Sequence, residues 1–345
     1  MSVMKAVSAE PFRLRRDGGP PPGIAVLERE LDRVPLSTVL AKANRVTARK
    51  GARGTGAFGS MKPRPADWYC FDAGDNDVTD WYPQGLTGSA DAGVAGNVYV
   101  VSWYFKPADA PERGIRLSFL NGVTLRYRHV LLVGVRPDGD IAPINIHAGG
   151  VAWYGDLLYV ADTHRGFRVF DTRHIYEVNG EDGEAIGRKG GVYNAFGYRY
   201  VMPQTGSWTS VTGEARFSFA AVDRDSTPHL LISGEYVDEP GRTGRVARWP
   251  LAADGTLPAG GDGVADALDA YALPGAKIQG ALSRGSTWYL SQSAGASGNG
   301  ALIVAGERLT RRPYPVGPED LTRVRDQVWS VSEFPGRRVL YGVPL

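Results

Sequence analysis

The sequence predicts an all-β protein, a five-bladed β-propeller whose last blade is completed by a strand from the N-terminal side. The 345-residue chain has 45 glycines and 23 prolines, which favours many tight turns over long helices. From Asp67 onward, five segments share one three-strand pattern with period-2 alternation. Recurrence of one supersecondary unit is typical of repeat folds such as propellers. The alternative is a β-sandwich whose strands resemble each other by chance.

The repeated unit is clearest at 146–170, where three short strands follow one another. The first strand of each unit opens on a polar residue followed by small and apolar ones: Gln84, His147, Ser218, Gln279 and Glu319. The second strands end at Trp103, Asp162, Gly234-Glu235, Gln292 and Glu333. The third strands are predicted at 115–119, 167–170, 246–249, 301–304 and 339–342. Aromatic and β-branched residues support strands in these positions.

The closing strand follows from the length of the last unit. Successive opening residues are 63, 71, 61 and 40 positions apart, whereas a propeller blade takes about 40–50 residues. We therefore expect inserted loops, at 180–191 and 252–268. The unit that begins at Glu319 has room for three strands only, and an open edge would leave backbone groups unpaired. The segment 67–71 is predicted to supply the missing strand.

Residues 1–60 differ from the rest of the chain. A Gly-Gly-Pro-Pro-Pro-Gly run at 18–23 is typical of a linker, and Ser37 could cap a short helix. We expect an N-terminal extension over 1–60, partly helical or disordered, on a single propeller domain over 61–345.

Composition restricts the partners. The net charge is +2, and no basic patch interleaved with aromatics is present, so a nucleic-acid partner is not expected. No apolar run is long enough for a membrane span. The basic N-terminus is followed by no apolar stretch, so it does not resemble a signal peptide, and Cys70 is the only cysteine. These features favour a cytoplasmic protein with a small-molecule or saccharide ligand.

Two polar rings are predicted at one mouth of the propeller channel, because first strands begin where second strands end. In the inner ring, His147 is the candidate general base, oriented by Asp162 of the outer ring. Glu319 or Glu333 would be the general acid, since neighbouring carboxyl groups raise one pKa. Ordered water and contacts between blades are the alternative use of these polar side chains.

The remaining ring residues are candidates for ligand binding. Trp103 at the mouth would be a platform for a sugar ring. The other candidate substrate contacts are Gln84, Gln279, Gln292, Arg165 and Glu235. We expect either no cofactor or a divalent cation at the mouth, calcium in particular, since carboxylates bind calcium. No zinc motif or nucleophile elbow is present.

Four stretches resemble a family of actinobacterial proteins, many of them secreted: DWYCFDAGDNDVTDWYPQGLTG, IHAGGVAWYGDLLYVADT, KIQGALSRGSTWYLSQS and GPEDL with VWSVSEFPGRR. The resemblance covers the chain from about Asp67 onward and implies no particular activity. The export signals of such relatives are absent from this sequence, which suggests either an intracellular member working in natural-product biosynthesis or a chain from which the export signal was removed.

These observations predict a cofactor-independent acid/base enzyme, a lyase, cyclase or hydrolase, that acts on a small polar metabolite at the channel mouth. The alternative is a lectin-like propeller that binds a ligand without turnover. A scaffold for protein binding is less favoured, because the predicted rings are polar and titratable rather than apolar.

Overall fold

The computed structural model describes residues 3–239 and 241–345 and confirms the all-β class, since 44% of the chain is strand and 8% is helix. The helices are short and lie between strands. They are α1 (Ile24–Glu30), α2 (Leu36–Ala41), α3 (Ala73–Asn76) and α4 (Ser89–Ala92), with 3-10 turns at Glu10–Phe12 and Thr55–Phe58. In the described residues no helix is long and apolar enough to cross a membrane.

The N-terminal segment forms five short strands: β1 (Ala6–Val7), β2 (Leu14–Asp17), β3 (Asp32–Val34), β4 (Arg45–Val46) and β5 (Ala48–Arg49). Each of them pairs with a strand that lies after residue 66. Phe12, Leu14 and Leu27 are fully buried. The segment therefore packs along the outside of the main sheets by both hydrogen bonds and apolar contacts.

The described residues after position 66 supply twenty-five strands. They are β6 (Asp67–Cys70), β7 (Trp81–Gly88), β8 (Val98–Phe105), β9 (Ile115–Asn121), β10 (Arg126–Val135), β11 (Ile141–Pro143), β12 (Val151–Tyr154), β13 (Leu157–Asp162), β14 (Gly166–Asp171), β15 (Ile175–Glu177), β16 (Ile186–Lys189), β17 (Val192–Ala195), β18 (Tyr200–Ser210), β19 (Phe219–Asp223), β20 (Leu230–Gly234), β21 (Arg245–Pro250), β22 (Val264–Ala265), β23 (Asp269–Ala272), β24 (Ile278–Arg284), β25 (Thr287–Gln292), β26 (Ala301–Ala305), β27 (Leu309–Pro313), β28 (Thr322–Val324), β29 (Gln327–Val331) and β30 (Val339–Pro344).

These strands form five antiparallel arrays. The first is β7-β8-β9-β10, the second β12-β13-β14-β18, the third β19-β20-β21-β23, the fourth β24-β25-β26-β27 and the fifth β28-β29-β30-β6. All five predicted third strands lie within β9, β14, β21, β26 and β30, which confirms them. One pairing was not predicted: β10 pairs in parallel with β18, which joins the first two arrays into one sheet. The expected loops at 180–191 and 252–268 contain β16 and β22.

The predicted closing strand is in place. β6 pairs antiparallel with β30, with Cys70 opposite Val339 and Asp67 opposite Gly342. The outer edge of β6 is in turn covered by β5. No part of the fifth array is therefore left as a long unpaired edge, which is how native sheets avoid edge-to-edge association.

The first strands of the arrays approach one another closely. β7 contacts β12, β12 contacts β19, β19 contacts β24, and β28 contacts β7. A Cβ at Gly85 would lie 2.5 Å from the nitrogen of Val151, and one at Gly150 only 2.1 Å from the nitrogen of Ala220. The small residues that follow the opening polar residues thus allow neighbouring backbones to meet.

Asp320 ties these first strands together. Its side chain is fully buried and accepts backbone hydrogen bonds from Val151 (3.1 Å) and Leu321 (3.0 Å). The N–H groups of Leu86 and Ala220 also donate to it. One carboxyl group therefore binds β7, β12 and β19 to the start of β28, and it satisfies N–H groups that would otherwise be buried without partners.

Aromatic residues fill the spaces between arrays. Trp81, Trp103, Trp153 and Trp288 are all buried, and the partly buried Trp68 packs against the cluster that contains Trp288. Apolar side chains lie on both faces of each array, because successive residues point to opposite faces and neighbouring arrays cover both.

Candidate active site

A cavity of about 1300 Å³ opens where the first strands begin. Four of the five predicted inner-ring residues line it, namely Gln84, His147, Ser218 and Gln279. The fifth, Glu319, is 1% exposed and lies behind Gln279, whose Nε2 donates to its Oε1 over 2.9 Å. The sequence pattern therefore brought the inner ring together at one site, as predicted.

Two β-bulges aim the glutamine side chains. The pairing of β7 with β8 skips Gln84, and the pairing of β24 with β25 skips Gln279. An extra residue in one strand bends it and redirects a side chain, and such bulges are common beside functional sites. Each of these glutamines donates to one carboxyl group of the site, Gln84 to Glu333 (3.1 Å) and Gln279 to Glu319.

Glu319 and Glu333 form a proton-sharing pair. Their carboxyl groups hydrogen bond to each other, and two carboxylates cannot do so unless one holds a proton. Burial first, and then the charge of Glu333, raise the pKa of Glu319 well above its usual range. Burial also raises the pKa of Glu333, opposed by the hydrogen bond from Gln84. Both shifts favour a protonated carboxyl group in this pair, of which Glu333 lines the cavity.

Arg338 stands behind this pair. It is fully buried, and its Nε donates to the backbone oxygen of Glu333 (2.8 Å). The guanidinium lies over the rings of Tyr82 and Trp103, 5.1 and 5.6 Å from their centroids. Burial lowers the pKa of Arg338 to about 10, so it remains a cation at neutral pH. Its charge lowers the pKa of Glu333 and so favours the ionised form there.

His147 is neutral at this site. Its Nε2 is 2.9 Å from Gln84 Oε1, and because the Gln84 amide nitrogen already donates to Pro83 and Glu333, Nε2 must carry the hydrogen. Surrounding protein and the charge of Lys106 lower the pKa of His147 to about 4. Nδ1 is left as a hydrogen-bond acceptor, while the ring stacks on Tyr104 with centroids 4.1 Å apart.

Asp162 lines the same cavity but does not orient His147, and that expectation is wrong. Its carboxylate accepts from Arg168 at 3.0 Å, within the hairpin of β13 and β14. The imidazole instead takes Gln84 as its partner. The two residues come from the same repeat unit, but Arg168 of the neighbouring strand β14 already binds the carboxylate of Asp162.

The predicted platform role of Trp103 is also wrong. The indole is fully buried, and its Nε1 donates to Ser118 Oγ over 2.8 Å. Because successive strand residues face opposite sides, it is the next residue, Tyr104, that lines the cavity. The sequence reasoning was thus off by one position along β8, and a strict alternation count from Val101 could have found Tyr104.

Three predicted substrate contacts lie away from the cavity lining. Glu235 is buried in a two-bond ion pair with Arg245, at 2.7 and 2.9 Å. Gln292 donates to the oxygen of Ala276. Arg165 is an exposed turn residue. The cavity instead uses Tyr236, which follows Glu235 directly.

Cavity residues that the sequence did not indicate include Tyr104, Lys106, Arg216 and Tyr236. Burial and the nearby carboxyl groups of Asp238, Glu319 and Glu333 raise the pKa of Tyr236 to about 12. Its hydroxyl therefore stays protonated and can donate to a ligand. Within 3–239 and 241–345, no group of three or more His, Cys, Asp or Glu side chains has the arrangement of a metal site.

Comparison with known proteins gives little. No known protein family and no curated protein matches this chain. Among solved structures, the chain is similar to a GH43_1 enzyme from Xanthomonas citri, with 11% identity and a TM-score of 0.37 over 94% of this chain and 93% of that one. A likeness at that level carries no argument about fold or activity.

Proposed function

We propose that this protein is a five-bladed β-propeller that performs acid/base catalysis on a small polar metabolite, without a bound cofactor. The proton-sharing pair of Glu319 and Glu333 is the observation that carries the proposal. Burying two carboxyl groups together costs stability, and pairs of titratable groups whose pKa values are driven apart are characteristic of acid/base sites.

The propeller interpretation rests on the cycle of first strands. Five antiparallel arrays meet through β7, β12, β19, β24 and β28. The pairing of β6 with β30 supplies the fourth strand of the last array from the N-terminal side. Closure of this kind is how propellers limit exposed strand edges.

In the proposed mechanism, Glu333 takes a proton from the bound substrate, or from the attacking water in a hydrolase, and gives it to another atom of the reacting substrate. Glu319 stabilises the ionised Glu333 by its hydrogen bond and holds a second proton. His147 accepts a hydrogen bond from the substrate at Nδ1, a role that suits an imidazole with a pKa of about 4 better than that of a base at neutral pH. Lyase, cyclase and hydrolase reactions all use such proton transfers.

The pair does not have the arrangement of glycosidase carboxylates. Those groups stand about 5–5.5 Å apart in retaining enzymes and farther apart in inverting ones, whereas Glu319 and Glu333 are in hydrogen-bond contact. The sharing of one proton is instead the arrangement of an aspartic-protease dyad.

The test is hydrogen exchange and turnover in D2O with a panel of small hydroxy acids, keto acids, lactones and amides, followed by mass spectrometry. We expect at least one compound to react, and Glu333→Gln to lower the rate by about 100-fold or more. Glu112→Gln, at another carboxylate of the cavity wall, should remain within about threefold. Unchanged rates in Glu333→Gln would refute the proposal. Turnover lost in EDTA and restored by calcium would instead assign a cation to the site.

The second candidate is a lectin-like protein that binds a ligand without turnover. Tyr104 and Tyr236 present rings to the cavity, and aromatic faces beside polar groups bind sugars. This candidate predicts that saccharides bind in calorimetry with no product formed, and that Tyr236→Ala weakens binding about tenfold, whereas Tyr289→Phe, in the core, leaves it unchanged. Tight binding together with turnover would exclude it.

A further inference from the structure

A second cavity, of about 220 Å³, lies on the outside of the first array. Four arginines line it: Arg45, Arg113, Arg128 and Arg199. They come from distant parts of the chain, namely β4 of the N-terminal segment, the loop before β9, the first half of β10, and the turn before β18. Such convergence of guanidinium groups from four segments needs an electrostatic reason, since like charges repel.

The carboxylates nearby do not balance these charges. Arg113 pairs with Glu184, and Arg199 pairs with Glu177. Arg128 has no carboxylate within ion-pair distance in the described part of the chain, and its Nη1 donates to the backbone oxygen of Lys42 (2.7 Å). Burial lowers the pKa of Arg128, and the charges of Arg199 and Arg45 lower it further, opposed by Tyr200 and Glu177.

Arg45 shares its carboxylates with another cation. Asp75 is 3.3 Å from Arg45 and 2.8 Å from the buried Arg116, and Asp72 is 3.5 Å from Arg45. Burial and Arg116 lower the pKa of the adjoining His129 to about 3, so this ring is neutral. Lys42 pairs with Glu177. Around this cavity the cations are therefore Lys42, Arg45, Arg113, Arg116, Arg128 and Arg199, and the carboxylates are Asp72, Asp75, Glu177 and Glu184. Six positive charges against four negative ones leave an excess of two.

We propose that this second cavity binds the phosphate group of a small phosphorylated molecule. A phosphate dianion matches the two excess charges, and guanidinium forks bind its oxygens in pairs. Exposed partners such as Glu184 contribute little to stability, so their arginines can turn to an anion at small cost. This binding site is independent of the carboxyl pair in the larger cavity.

The test is calorimetric titration of the full chain with inorganic phosphate and with pyrophosphate, at an ionic strength fixed with sodium chloride. We expect phosphate to bind the wild-type protein and Arg128→Gln to weaken that binding about tenfold or more. Arg199→Gln is the second variant, because its exposed side chain can be replaced without disturbing the fold. Arg308→Gln, at an exposed site elsewhere, is the matched control and should bind as the wild type does.

Acetate should bind at least about tenfold more weakly than phosphate, because a single carboxylate neutralises only one of the two charges. The proposal is overturned if phosphate gives no binding heat, if both arginine variants bind as tightly as the control, or if acetate binds equally well. None of these outcomes depends on Glu333, so the result stands apart from that of the exchange experiment.

Discussion

The buried residue Asp91 should make the stability of the fold depend on pH. Asp91, in α4, is 1% exposed and accepts hydrogen bonds from the hydroxyl groups of Thr87 (3.0 Å) and Thr322. No cation is in ion-pair contact with it in the described residues. Burial raises the pKa of Asp91 to about 7, opposed by the two threonine hydroxyls. Between about pH 4 and pH 7, Asp91 therefore holds a proton in the folded protein that it releases in the unfolded chain, where its pKa is about 4.

The wild type should lose stability as the pH rises from 4 to 7, and Asp91→Asn should remove this pH dependence. A raised folded-state pKa means that the contribution of Asp91 is full below pH 4 and is lost as the pH rises to 7. The gap in unfolding free energy between wild type and variant should shift by about 4 kcal/mol across that range, in favour of the variant at pH 7. Urea unfolding at several pH values measures it.

The threonine hydroxyls can donate or accept, so the asparagine amide should fit in place of the carboxyl group. Asp326→Asn, in the exposed turn before β29, is the control and should follow the wild-type slope. Parallel stability curves for wild type and Asp91→Asn would show that Asp91 is ionised in the fold.

At this scale the sequence predicted the polar residues at strand starts but not their partners. Gln84, His147, Gln279, Glu319 and Glu333 do meet at one site. The reason is that the repeat places equivalent positions at one end of every array. Which side chain bonds to which depends on contacts across arrays. The link from His147 through Gln84 to Glu333 crosses three units, and no local pattern carries that information.

At the scale of strands, Asp320 holds the inner ends of the arrays in register. Its carboxyl group receives N–H groups from β7, β12 and β19 as well as from Leu321. Burial raises its pKa, and these N–H donors oppose the rise. Asp320 gives no signal of its own in the sequence, because its neighbour Glu319 occupies the opening position of the repeat.

Asp320→Asn should destabilise the protein strongly, although the two side chains have nearly the same shape. The asparagine NH2 group would point at N–H donors that now meet a carboxyl oxygen, leaving at least one of them buried without an acceptor. We expect a loss of about 3 kcal/mol or more in urea unfolding at pH 7. The exposed Asp326→Asn should change stability by less than about 0.5 kcal/mol. If both variants unfold at the same urea concentration, Asp320 does not tie the strands together.

Strand bulges explain a further part of what alternation alone could not predict. In β7 the skipped residue Gln84 shifts the pairing with β8 by one. A shift of one residue exchanges the two faces of a strand. The same shift occurs at Gln279. The sequence shows a polar residue before glycine in both places, which is a signal for a bulge.

For the whole molecule, closure between the two ends of the chain is the decisive contact. β6 and β30 are separated by nearly the full length of the sequence, and they pair along four residue positions. The shortage of one strand in the last unit was enough to predict this partner. The parallel contact of β10 with β18 and the wrapping of β1 to β5 were not predictable, because these pairings depend on where the insertions fold back.

The pairing of β6 with β30 can be tested by a disulfide between these two strands. Cys70 lies opposite Val339 in the β6–β30 pair, and both side chains belong to the same buried cluster. Directly opposed residues of antiparallel strands have Cα atoms about 4.5–5.5 Å apart, which is within disulfide range. Cys70 is the only cysteine in the chain, so Val339→Cys can form one intrachain bridge and no other.

We expect Val339→Cys, refolded in a glutathione buffer, to form this bridge and to gain up to about 5 kcal/mol over its reduced form, because the bridge restricts a very long loop in the unfolded chain. The reduced form of the same protein is the control, since it carries any packing cost of the substitution. Thiol titration and urea unfolding with and without reductant measure both effects. A folded monomer that keeps two free thiols would show that β6 does not lie beside β30.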